Sequence, residues 1–230
     1  MDSEALQLIS RQSMALALES KAQVAAEYPA VVLEAAEALL SDDVLVRQQG
    51  LDLIERSGLA ANSSLIAYLL VSSISDADIP ATRRIARLLA GIMQADGDTQ
   101  PAPDELRARL GGWIAEMRTR PLYSLVRLAA EHPSAEEDVL GILRSAPYAG
   151  RHLLDLLSKR EFPLEIRRQS VRLVGLAGYL QAIAPLERLL AKFESRLAGR
   201  SGLGYSPTSA DDEAALIPEI RRALDLLKAP

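Results

Sequence analysis

The sequence has no cysteine, and that absence removes disulfide frameworks, thiolate nucleophiles and thiolate metal sites together. Histidine is almost as scarce. Of the two present, His132 and His152, neither belongs to an HExxH motif or has a second ligand three or four residues away, so both are expected in turns or on the surface and no metal is expected. Aromatic residues make up 4% of the chain, too few to build the stacking surfaces that base-recognising proteins use. The single Trp113, in LGGWIAEM, is expected to fill the core. No apolar run approaches the roughly 18 residues needed to cross a membrane. Met1–Met14 carries acidic residues where a secretory leader starts basic, which is expected of a cytosolic chain. The glycines at 199–204 (GRSGLGYS) lack the Lys-Ser/Thr of a phosphate-binding loop and follow no strand, so they are expected to form a flexible loop and no nucleotide or other cofactor is expected.

What the chain does contain is Leu and Ala, with 49% hydrophobic residues over 230 positions, enough for a substantial core. Strong helix formers dominate and β-branched runs are scarce, so the expectation is an all-α protein. The net charge of −5 argues against nucleic acid, whose phosphates need a cationic footprint. The charge is uneven: four basic against ten acidic residues in 1–60, nine against eleven in 61–150, and thirteen against ten in 151–230.

Read in order, residues 3–26 have spaced apolar positions without Gly or Pro and are closed by Tyr28-Pro29, which predicts a long first helix that caps the array. A second helix is predicted over Ala30–Leu40. Ser41-Asp42-Asp43 then offers capping oxygens for a third helix, Val44–Ser57, which Gly58 ends. The same pattern returns 120 residues later: VRQQGLDLIERSGL (Val46–Leu59) lies over IRRQSVRLVGLAGY (Ile166–Tyr179), pairing Val46/Ile166, Arg47/Arg167, Gln49/Gln169, Leu51/Val171, Leu53/Leu173, Ile54/Val174 and Gly58/Gly178. Three steps of 40 residues fit that offset, the length at which a helical hairpin must stack on neighbours to bury its face. Further copies are PATRRIARLLAGIM (Pro80–Met93), after a helix over Asn62–Ser73, then PLYSLVRLAAEHP (Pro121–Pro133) and PEIRRALDLLK (Pro218–Lys228). Two short helices split at Pro147 are predicted between Ser134 and Lys159. ADGDTQPAP (Ala95–Pro103) and GRSGLGYSPTSADD (Gly199–Asp212) read as loops, the second mobile and the cause of the longest repeat step. Its Tyr205, Ser206, Thr208 and Ser209 are candidate contacts or modification sites. About 12 helices are expected.

These motifs resemble the HEAT or armadillo-like α-solenoids. The resemblance rests on Pro163-Leu164-Glu165-Ile166-Arg167-Arg168 with Leu173 and Gly178, on Asp42-Asp43 with Val46-Arg47, on Asp76 and Asp78 before Arg83, and on Gln181-Ala182-Ile183-Ala184-Pro185-Leu186. It implies one domain over 1–230, a right-handed superhelix of about five to six hairpins. Its parts would be a capping helix at 1–28, repeats at 30–94, an irregular middle at 103–159 and C-terminal repeats at 162–228. It also implies that turn aspartates bond second-helix arginines of neighbouring repeats, and that second helices line the concave face. On those helices sit Arg47, Arg83, Arg84, Arg87, Arg127, Arg167, Arg168, Arg172, Arg221 and Arg222. A concave strip of Arg47, Arg84, Arg87, Arg127, Arg168, Arg172 and Arg222 is the candidate site for an acidic or phosphorylated partner. The acidic groups Asp42-Asp43, Glu136-Glu137-Asp138 and Asp211-Asp212-Glu213 read as helix-start residues rather than catalytic carboxylates. The expected function is a non-catalytic protein-binding scaffold, and a homo-oligomer is compatible with it. The enzymatic alternatives within the resemblance are the alkylpurine DNA glycosylases and the bilin lyases, against which the acidic balance and the lack of a catalytic constellation both weigh.

Overall fold

The computed structural model describes residues 28–74, 78–94, 102–200 and 209–229. Outside them lie the capping helix expected before Tyr28, Asp76, most of the loop expected at 95–103, and Tyr205, Ser206 and Thr208. The described residues form twelve α-helices and no strand: α1 (Ala30–Leu40), α2 (Val44–Ser57), α3 (Leu59–Asn62), α4 (Ser64–Ser73), α5 (Ile79–Met93), α6 (Asp104–Ala115), α7 (Thr119–Glu131), α8 (Glu136–Arg144), α9 (Ala149–Ser158), α10 (Leu164–Ala177), α11 (Ile183–Arg200) and α12 (Ser209–Lys228). The protein is all-α. Its chain divides into two compact units at Ile114/Ala115.

Local chemistry sets most helix ends. Asp43 and Asp78 cap α2 and α5 by accepting the amides of Leu45 and Ala81 at 2.8 and 3.1 Å. Gly58 and Gly178 close α2 and α10 in the left-handed region, at φ 65° and 77°, where a Cβ would be strained. Three expectations are corrected. The helix read as Asn62–Ser73 starts two residues later, at Ser64, because Ser63 turns extended and caps α4 by accepting the Ile66 amide at 3.4 Å, and Asn62 instead ends the short α3. Gly199–Arg200 and Ser209–Asp212, expected in a loop, are helical, since α11 runs to Arg200 and α12 starts at Ser209. And Pro218 does not start the last helix but lies inside it. The missing amide removes one intrahelical bond, while buried Leu216, Ile220, Ala223, Leu224 and Leu227 carry the helix through.

In the first unit, α1 packs on α2 and α4 on α5; first helices also meet first (α1 on α4), and second meet second (α2 on α5). In the second unit α10 is central, touching α7, α8, α9 and α12, and α11 packs on α12. Val171, Leu173 and Val174 of α10 are fully buried, each contributing about 1.5–3 kcal/mol of hydrophobic stabilisation. Two crossings are so close that only glycine fits. A Cβ on Gly50 would stand 2.7 Å from the Ala38 Cβ, and one on Gly175 would stand 2.9 Å from the Ala223 Cα, in the backbone of α12. Gly91, on the exposed side of α5, meets nothing.

These two environments set opposite outcomes for one substitution. Gly91→Ala should stabilise the protein by about 1 kcal/mol through helix propensity, whereas Gly175→Ala should destabilise it by roughly 1–3 kcal/mol through overpacking. Urea unfolding of both variants checks this, and a Gly175→Ala protein as stable as wild type would contradict the close crossing of α10 and α12.

Candidate functional site

The second-helix arginines do three different jobs. The first is to close a turn. Arg47, one helical turn into α2, donates from Nη1 to the carbonyls of Ser41 and Asp42 at 2.8 and 3.0 Å, tying down the end of α1 within its own hairpin.

The second job is to fasten one helix to another. Arg84 on α5 reaches α2: Nε and Nη2 donate to the two carboxylate oxygens of Glu55 at 3.0 and 2.8 Å, Nη2 also meets Asp52 at 2.6 Å, and Nη1 meets the Gln48 side chain at 2.8 Å. These carboxylates raise the Arg84 pKa, Glu55 foremost. Arg172 on α10 binds Glu136 of α8 in the same forked manner, at 2.7 and 2.9 Å, with Gln169 donating to the same carboxylate at 2.9 Å. The hydrogen bond from Arg172 is the main reason the Glu136 carboxyl titrates below its ordinary range.

Arg167 is the extreme case. Its side chain is 2% exposed, and it donates to the Leu157 carbonyl at the end of α9 (3.0 Å) and to Asp212 in α12 (3.2 Å). Burial lowers its pKa, partly opposed by Asp212. Beside it the buried Glu213 receives Arg160 at 2.5 Å and Arg196 at 2.8 Å on one oxygen, while its other oxygen is buried without a partner. Asp211 and Asp212 lie in the first turn of α12 as expected. Asp212 and Glu213, however, also anchor that helix to its neighbours, a role the helix-start reading omitted.

The third group reaches no other helix, although Arg127 and Arg168 are half-buried and the Arg168 Nε is buried without a partner. Arg127, Arg168 and Arg222 make only near-neighbour pairs along their own helices, with Glu131, Glu165 and Glu219 at 2.7, 3.5 and 3.0 Å. Such pairs contribute about 0.3–0.5 kcal/mol. Arg87 is exposed and makes no ion pair or hydrogen bond among the described residues. Of the seven arginines singled out from the sequence, Arg47, Arg84 and Arg172 are therefore engaged in holding helices, and Arg87, Arg127, Arg168 and Arg222 make no bond to another helix among the described residues.

The remaining candidates have structural roles. His132 caps the end of α7, and its backbone amide donates to the Leu128 carbonyl. His152 Nδ1 lies 3.4 Å from the Thr119 hydroxyl. Trp113 meets Tyr68 edge to face, with centroids 5.3 Å apart. Tyr179, unremarked in the sequence, is buried with its hydroxyl 2.5 Å from the Leu143 carbonyl and 3.1 Å from that of Ala146. Burial pushes its phenol pKa upward. No cluster of metal-binding side chains occurs among the described residues, and no helix there is long and apolar enough to cross a membrane. Comparison with known proteins finds no matching family model, no matching curated protein and no matching solved structure.

The Glu136 pairing has a defined pH signature. A carboxyl whose folded pKa lies below its unfolded value, about 4.3, contributes stability that is complete above that value and lost as pH falls through the folded pKa. Arg172→Ala should therefore be less stable than wild type near pH 7, with the gap narrowing as pH falls below about 4. Urea midpoints of the two proteins across pH 3–7 measure it, and a gap independent of pH would contradict the assignment.

Proposed function

We propose that the chain is an α-solenoid of the HEAT or armadillo-like type, with about five to six hairpins, and that it works as a non-catalytic scaffold holding a protein partner along its second helices. The observation that carries this reading is the stacking of like on like. In the first unit first helices pack on first and second on second, and in the second unit α7, α10 and α12 pack in series. Within each unit, a stack of that kind leaves one row of helices as a binding surface. Arg87 in the first unit, and Arg127, Arg168 and Arg222 in the second, are the row members whose guanidinium groups are not committed to another helix. Guanidinium groups held in this way favour carboxylate-rich or phosphorylated partners through forked hydrogen bonds.

The test is affinity capture from the native host, comparing wild type with Arg87→Glu/Arg127→Glu/Arg222→Glu. Arg87 and Arg222 are exposed and Arg127 is half-buried, and the helical pairs lost are worth about 0.3–0.5 kcal/mol each, so the variant should fold with a melting temperature only slightly lowered. The expected result is loss of a protein specifically retained by wild type. An identical set of retained proteins would remove the arginine row from consideration.

A further inference from the structure

A second surface, in the unit beginning at Ala115, gathers three segments distant in sequence. The start of α7 meets the start of α9 through the Thr119 hydroxyl and His152 Nδ1, 3.4 Å apart. The turn after α10 joins them from the other side. Gln181 Nε2 donates to the Pro147 carbonyl at 3.1 Å, and Tyr179 lies so close to Gly150 that a Cβ there would stand 2.8 Å from its ring. Three contacts thus bring together the segments that carry Arg118, Tyr148, Arg151 and Leu180, each the immediate chain neighbour of a residue in those contacts.

The four side chains share two properties. All are exposed, Tyr148 at 72% and Leu180 at 64%, among the largest exposures of any large hydrophobic residue described. The two arginines are also unpaired. Most arginines elsewhere in this acidic chain meet a carboxylate, but Arg118 and Arg151 make no ion pair or hydrogen bond through their side chains among the described residues, although Glu116 and Asp155 lie within a helical turn in sequence. Neither α7 nor α9 has an acidic residue in its first turn to offset them. An exposed Tyr with two free guanidinium groups matches the composition of interface hot spots, in which Tyr and Arg are enriched, and Leu180 adds apolar surface beside it. The positive charge selects the partner's sign.

We propose that this surface docks an acidic peptide segment of a partner protein, its carboxylates taken by Arg118 and Arg151 and an apolar side chain seated against Tyr148 and Leu180. The proposal shares with the function above the idea of a protein partner, but none of its residues. Failure of the Arg87/Arg127/Arg222 row leaves it standing.

The probe is a fluorescein-labelled decapeptide alternating glutamate with leucine, titrated with the full chain at low salt and followed by anisotropy. Saturable binding is expected, weakened as salt rises. Arg118→Glu/Arg151→Glu should weaken it by about tenfold or more, and Tyr148→Ala/Leu180→Ala by several-fold. Because Arg118 and Arg151 stand at helix starts, where negative charge is favourable, the reversal should fold normally, as a circular dichroism melt will verify. Arg56→Glu/Arg109→Glu, which alters the net charge equally at exposed positions elsewhere, should bind like wild type. Absence of binding, equal weakening by the control variant, or tighter binding of a single-stranded oligonucleotide of the same charge would each overturn the proposal.

Discussion

A guanidinium group withdrawn from water must be met by acceptors, and the burial of Arg167 is where this requirement shapes the fold most strongly. An unmatched buried charge costs several kcal/mol, so the end of α9 and the start of α12 are both drawn to one side chain on α10. That single residue ties a preceding helix and a following helix to the most central helix of its unit. Glu213, buried beside it and gripped by Arg160 and Arg196, extends the same logic to α11 and to the segment between α9 and α10. The start of α12 is thus positioned by charge, while its later turns are positioned by apolar packing and by the bare Gly175 crossing.

The same chemistry recurs at lower cost. Arg84 and Arg172 are only partly buried, and each spans from a second helix to a neighbour with a forked grip on a glutamate, supported by a glutamine amide. Because the acceptors lie 29 and 36 residues away in sequence, each bond belongs to the packing between hairpins and not to any one of them. Arginines in this protein thus divide by partner. Some reach an acceptor on another helix, and others pair only along their own helix or not at all. That division, more than the number of arginines, bounds which of them a partner can reach.

Much of the fold was legible because it rests on local signals. Asp43 and Gly58 bracket α2, and Gly178 ends α10, since capping depends on residues within one turn. The pairing of Val46–Leu59 with Ile166–Tyr179 also marks structurally equivalent buried positions: Leu51 and Val171, Ile54 and Val174. What was not legible depends on contacts between distant segments. The alignment passes through Gly50 over Ser170, and only the crossing with Ala38 explains why the first must be small. Pro218 reads as a helix start and sits in a helix interior, because tertiary burial on both sides outweighs the lost bond. The expected aspartate-to-arginine link between repeats is replaced, at Arg47, by bonds to backbone carbonyls of its own turn. The acceptors of Arg84 and Arg172 carry no signature of their own in sequence, since any surface glutamate would look the same.

The most direct measurement is the stability of Arg167→Lys, by urea unfolding of the full chain. A lysine keeps the charge and much of the length but carries its donors on one nitrogen, which cannot take the places of both Nε and Nη1, so either the Leu157 carbonyl or Asp212 loses its partner. The variant is predicted to lose about 2–3 kcal/mol. A midpoint and slope within error of wild type would show that the paired, buried guanidinium is not what holds α9, α10 and α12 together.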